Sequence, residues 1–208
     1  DRHDGKTPIQ FFEEKGVLDF PVYAAHCVWI TDEDIEIIKN KDFTIVHNPT
    51  SNLKLGSGIA RISDALNAGI NVALGTDGVA SNNNLNMFEE MHLAALLQKG
   101  EFHNPTLVSD AQVLDMATVN GANALGRIDT GSLEVGKKAD IIAIDMDKMH
   151  LIPNNDTLAL IISSMQGSDV CMTMVDGKIL YENGEYYTLD KEKILYEFGK
   201  SVDRLNGR

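Results

Sequence analysis

The stretch Val22-Tyr23-Ala24-Ala25-His26-Cys27-Val28 is nearly uncharged and of strand length. A short apolar run of this kind reads as a strand buried on both faces, as in a parallel sheet. Two further segments repeat it, Phe43-Thr44-Ile45-Val46-His47 and Asn71-Val72-Ala73-Leu74-Gly75-Thr76. Helix signals surround all three. Thr7-Pro8-Ile9-Gln10 combines an N-cap, a proline at the first helical position and a capping-box glutamine, with Gly16 suited to a left-handed exit. Thr31 caps a second helix with Asp34 in the box position, and Ile30 and Ile35 are spaced as a hydrophobic staple. A third helix follows the Ser57-Gly58 turn and ends at Gly69, and Asn84 is expected to cap a longer one through Leu97. On that helix Phe88, Met91, Ala95 and Leu96 form the expected inner stripe. Ser109-Asp110-Ala111-Gln112 opens a helix pair ending at Gly126. Strands alternating with helices make the fold class α/β. A doubly wound sheet and part of a barrel both remain open, although neither GxGxxG nor GxxxxGK[ST] occurs.

After Gly126 the character changes. Gly131 to Asp140 is turn-rich, Ile141–Ile144 reads as a strand, and residues 170–175 and 178–181 flank Asp176-Gly177, a type I′ hairpin signal. The expected division is therefore 1–126 for the α/β part, 127–187 for a small antiparallel sheet and 188–208 for an amphipathic terminal helix. Across 208 residues, 18 Lys and Arg oppose 31 Asp and Glu, a formal charge of −13 that argues against nucleic acid or an acidic membrane surface as partner. No apolar run approaches membrane-spanning length. The two cysteines, Cys27 and Cys171, lie far apart, which fits a reducing, cytoplasmic setting.

In either parallel-sheet architecture, functional groups gather at the C-terminal ends of the strands. That rule selects His26, His47 and Asp77. A strand-end histidine is also what a hydrogen-bonded core residue looks like, and an aspartate before glycine is a common turn former. Asp77 carries more weight, since a charge at the rim of an apolar sheet needs a metal or donors to offset its desolvation. Thr76, Ser81, Asn82 and Asn83 supply donors nearby, and His47-Asn48-Pro49-Thr50-Ser51-Asn52 is a polar loop suited to a heterocycle or to sugar hydroxyls. Alternation along a strand puts Cys27 opposite His26, as buried filler and not a nucleophile. His3, His92, His103 and His150 lack metal-pair spacing, and Met87, Phe88 and Met91 read as core.

Taken in order, Ala25-His26-Cys27-Val28-Trp29, the segment His47 to Gly58, Leu74-Gly75-Thr76-Asp77-Gly78 with Ser81-Asn82-Asn83, Thr118 to Ala122 and Val175-Asp176-Gly177-Lys178 resemble the amidohydrolase superfamily. The branch they resemble is that of the 5-methylthioadenosine/S-adenosylhomocysteine deaminases, and the likeness runs along essentially the whole chain. It implies the sixth to eighth strands of a (β/α)8 TIM-type barrel, with part of a small β-sandwich domain after them. It implies Asp77 as metal ligand and acceptor of the attacking water's proton. His26 would hydrogen-bond that water or the developing tetrahedral centre, and His47, Asn52, Ser81 and Asn82 would border the substrate. One divalent metal, zinc or iron, and a purine nucleoside are the implied cofactor and substrate.

The family's His-x-His of the first strand is not found, and no strand-borne His-x-x-Glu precedes His26. Residues 1–208 are therefore expected to be the C-terminal half of a longer enzyme, inactive alone and completed by the other half or by self-association. A closed barrel takes about 250 residues, and a tight zinc site takes three protein ligands. Guanine, cytosine or an s-triazine are alternative rings, and a non-catalytic half-barrel binding module is the alternative class.

Overall fold

The computed structural model describes residues 5–207, so His3 lies outside the described residues. Three parallel strands, β1 (Val22–Ala25), β2 (Phe43–His47) and β3 (Asn71–Leu74), form one sheet in that order. Val22 pairs with Phe43 and Ala25 with Val46; Thr44 pairs with Asn71 and His47 with Leu74. The sheet is open. Central β2 is buried at four of its five positions, whereas β1 at the edge alternates between half-buried and exposed, with Tyr23 facing solvent. Burial on both faces, expected of all three runs, thus fails for β1; β3 is also an edge strand but is buried at three of its four positions, because helices pack on it and much less on β1.

Helix α1 (Pro8–Glu14) precedes β1, and α2 (Asp32–Ile38) links β1 to β2. Both begin with the expected capping boxes. Their N-termini are joined: the Asp34 carboxylate accepts from Thr31 N at 3.0 Å and from the Thr7 hydroxyl, and Asp34 is 1% exposed. Ile30 and Ile35 are both buried, as a staple requires. Asp34→Ala removes the box and strands two half-buried donors, so stability is expected to fall by about 2 kcal/mol. Urea midpoints of the two proteins measure it, and a difference below about 0.5 kcal/mol would show that the linkage contributes little.

Between β2 and β3 lie α3 (Pro49–Lys54) and α4 (Ile62–Asn67), and after β3 come α5 (Val79–Asn82) and α6 (Met87–Glu101). The segment read as a polar loop after His47 is thus partly helical, opened by Pro49 at the first helical position. Asn84 does not cap α6. Asn86 does, its Oδ1 accepting from Phe88 N at 3.2 Å, while Asn84 Oδ1 accepts from Asn86 N at 3.0 Å. The short helix α5 and the left-handed Asn83 (φ 82°) fill the space an earlier start would use. Phe88, Met91 and Ala95 face inward as expected, but Leu96 is 50% exposed. The inner face also holds Ala94 and two polar residues, Glu90 and Gln98, both 0% exposed.

Helices α7 (Asp110–Ala117) and α8 (Val119–Ala124) follow. Asn120 on α8 donates to Val72 O at 2.9 Å and its own carbonyl accepts from Asn71 Nδ2 at 3.1 Å, tying α8 to β3. A second sheet is antiparallel in the order β4 (Ile141–Ile144), β5 (Val170–Val175), β6 (Lys178–Glu182) and β7 (Glu185–Tyr186). Asp176 (φ 50°) and Gly177 (φ 75°) turn β5 into β6, the two positive angles a type I′ turn demands. Between β4 and β5 the chain returns to the helical layer as α9 (Thr157–Ser163), where Ile162 joins the same core as Met91, Val113 and Met116. Helix α10 (Lys191–Leu205) starts at the Asp190 cap and buries none of its residues.

Candidate active site

Because the three strands run parallel, the residues that follow them share one rim. The ladder reaches that rim: His26 N donates to Val46 O and Gly75 N to His47 O, each at 2.9 Å. A Cβ at Gly75 would stand 2.7 Å from Asn48 Oδ1 and 3.1 Å from Val46 Cγ1, so a larger residue would have to displace the Asn48 side chain. Immediately beyond, His26 (φ 68°), Cys27 (φ 47°) and Asp77 (φ 59°) adopt left-handed backbone. Such angles cost non-glycine residues about 1–2 kcal/mol each, least for aspartate, and cluster where geometry serves function. Cys27 has therefore already left the strand, and strand alternation does not place it. The Sγ lies 3.5 Å from Ala24 O, and burial, assisted by Asp34, pushes the thiol up to about 11. It is a packing group for that reason.

Asp77 is held by three donors. Its Oδ2 accepts from Ser51 Oγ at 2.7 Å and Ser81 Oγ at 2.8 Å, and its Oδ1 from Gly78 N at 2.7 Å. The Ser51 hydroxyl first, then the Gly78 amide and Ser81, keep the carboxyl down at about 2, so it is ionised at neutral pH. Opposite it stands His26. Its Nδ1 is 2.8 Å from Asn52 Oδ1, and its Nε2 faces Asp77 Oδ2 at 3.8 Å. That separation exceeds a hydrogen bond.

These donors suit a divalent metal of the zinc type, which takes carboxylate oxygen and imidazole nitrogen. They form only part of a site, and no group of three ligand-type side chains occurs among the described residues. Of the residues selected from sequence, His26, Asn52, Asp77 and Ser81 meet at the rim. Asn82 is 4% exposed and commits its amide nitrogen internally, to Thr76 O at 2.7 Å and Glu90 Oε1 at 2.6 Å. His47 is 1% exposed, and neither ring nitrogen has a hydrogen-bond partner among the described residues. Desolvation, and secondarily His26, lower its imidazole to about 4. Ser51 and Glu90 were not selected from sequence. Ser51 lies within the His47–Asn52 motif, and its helix α3 is what turns it toward Asp77; Glu90 gives no signal apart from its neighbour Glu89.

An open parallel sheet bearing ionisable groups at its C-terminal rim, with a second antiparallel sheet, defines the class as a partial barrel of the metal-dependent hydrolase type. The model of the amidohydrolase family matches residues 1–180, and the chain belongs to that family. Within it the likeness falls in the 5-methylthioadenosine/S-adenosylhomocysteine deaminase branch: one such protein from Acetivibrio thermocellus is 53% identical over 202 residues, covering 97% of this chain and 47% of its own length. An adenosine deaminase from Xanthomonas campestris, solved with bound zinc, superposes with a TM-score of 0.94 at 32% identity, over 98% of this chain and 47% of that one. A zinc-complexed atrazine chlorohydrolase from Arthrobacter aurescens gives 0.85 at 34% identity, over 93% of this chain and 43% of that one. The chain spans about half the length of the curated relatives it matches. No helix among the described residues is long and apolar enough to cross a membrane.

Proposed function

We propose that the complete protein carrying this chain hydrolyses the exocyclic C–N bond of an adenine nucleoside of the 5′-methylthioadenosine or S-adenosylhomocysteine kind, releasing ammonia. The observation that carries the reading is the ionised, triply hydrogen-bonded Asp77 facing His26 at the rim. Half identity to a deaminase along nearly the whole chain supports it. A divalent metal, when bound, supplies a water acidic enough to attack at neutral pH.

Asp77 would contribute one ligand to that metal and accept the water's proton, which leaves at last with the ammonia. It is ionised at neutral pH and so has a vacant site for the proton. His26, fixed by Asn52, would steady the oxygen added to the ring carbon, the place where charge develops. Ser81 borders the substrate, whereas Asn52, Asn82 and His47, none more than 4% exposed, act from beneath the rim. The remaining metal ligands and the ring-protonating glutamate belong to the other half, with residues 1–126 supplying the barrel segment, 127–187 the sandwich share and 188–208 the terminal helix. Cys27 and Cys171 are free thiols, as a cytoplasmic setting maintains them.

The likeness to a chlorohydrolase favours a second reading, in which the ring is an s-triazine. A panel decides: the complete protein with 5′-methylthioadenosine, S-adenosylhomocysteine, adenosine, guanine, cytosine and atrazine, scored for ammonia and chloride. Ammonia from the thioether nucleosides, at a kcat/KM at least tenfold above the other rings, is the expected result. Chloride from atrazine as the dominant product would replace it with the second reading, and no turnover with zinc present would leave a binding module.

A further inference from the structure

We propose that Glu90 on α6 is a positioning residue for Asp77, acting as a buried clamp between the two loops that hold it. The inference rests on the reading of Asp77 given above. Asp77 Oδ2 receives its two hydroxyl bonds from different elements, Ser51 on α3 after β2 and Ser81 on α5 after β3. The residues beside those serines are tied to one carboxylate. Thr50 N donates to Glu90 Oε2 at 3.1 Å, and Asn82 Nδ2 donates to Glu90 Oε1 at 2.6 Å. The same Asn82 nitrogen donates to Thr76 O at 2.7 Å, one residue before Asp77. Glu90 therefore fixes the spacing of the two serines and of the backbone that delivers the carboxylate.

Stability alone does not account for the arrangement. Glu90 is 0% exposed, and around it Thr50 Oγ1 and Asn82 Oδ1 are buried with no hydrogen-bond partner among the described residues. An orphaned hydroxyl and an orphaned amide oxygen cost free energy, and here they sit on the two residues that the carboxylate grips. Two turns further along α6, Gln98 offers a natural control. It is equally buried and also clasps the layer beneath, accepting from Ser63 N at 3.1 Å and donating to Ala60 O at 2.8 Å, but its partners are at the start of α4 and touch neither serine.

The test is a matched pair in the complete protein, Glu90→Met and Gln98→Met, each deleting two hydrogen bonds made by a fully buried side chain of the same helix. Thermal midpoints, kcat and KM for 5′-methylthioadenosine, and zinc retained after dialysis against a chelator are measured for both. Both midpoints should fall. Only Glu90→Met should lose turnover, about thirty- to a hundredfold in kcat with KM within about threefold, as a displacement near 1 Å would produce, and only it should lose zinc. Glu90→Gln keeps one acceptor and sets its NH2 against a donor, so it should fall between and serves if Glu90→Met does not fold. Equal losses of kcat and zinc in the two Met variants, or wild-type values in the Glu90 variants, would overturn the clamp. If the wild-type protein turns over no nucleoside, the proposed function fails by itself and zinc retention alone decides the clamp, selective loss in Glu90→Met supporting it and equal retention overturning it.

Discussion

Asp77→Asn in the complete protein is expected to lower turnover of 5′-methylthioadenosine by more than about 10⁴-fold, the upper range for removing one positioned acid–base group, with a metal ligand lost besides. The substitution is nearly isosteric, but it changes what the two carboxylate oxygens can do. Oδ2 accepts two hydroxyl protons and Oδ1 accepts the Gly78 amide. An amide NH2 facing the Gly78 amide sets donor against donor, and one facing Ser51 and Ser81 forces both hydroxyls to turn and accept. It also removes the negative charge that Ser51, Gly78 and Ser81 maintain at neutral pH. Steady-state ammonia release by purified mutant and wild-type protein, with zinc content measured on both, is the check. Activity within tenfold of wild type would remove Asp77 from the proposed chemistry. Full zinc content with lost turnover would confine its role to the proton.

Much of the fold was legible because local chemistry and tertiary packing agree. Thr7, Thr31 and Ser109 open helices in the structure as their capping boxes require, and the Asp176-Gly177 hairpin needs no tertiary help to specify its turn. The rim was legible in outline, since parallel strands must deliver their last residues to one end. What was not legible depends on contacts across the chain. Pro49 and Val79 open helices of six and four residues, too short to show a period, so Ser51 looked like part of a loop. Glu90 follows Glu89 in the first turn of α6, where an acidic pair ordinarily faces water and favours the helix dipole. Only Thr50, forty positions upstream, and Asn82 reveal why this carboxylate is inside. The exposure of β1 was hidden for a related reason, because nothing in its apolar sequence tells that the helices pack on β3 and much less on β1.

The second large effect concerns pH and falls on His47, whose buried imidazole is held down at about 4. An unfolded histidine titrates near 6.5. Below that pH the unfolded chain takes up a proton that the folded protein refuses, so the unfolded state binds more protons and stability falls as pH falls. The contribution is complete above about pH 6.5 and gone by about pH 4, a loss of about 3 kcal/mol by linkage. Direct attraction cannot rescue the charged form, since both ring nitrogens lack hydrogen-bond partners among the described residues and the neighbouring His26 opposes protonation. His47→Leu removes two orphaned polar atoms at similar volume. At pH 7.5 it should lie within about 1 kcal/mol of wild type, and at pH 4.5 it should be the more stable protein by about 2 kcal/mol. Urea unfolding of both proteins across that range tests it. Parallel pH curves would show that His47 takes up its proton inside the folded protein, and that the rim opens to water more deeply than its 1% exposure implies.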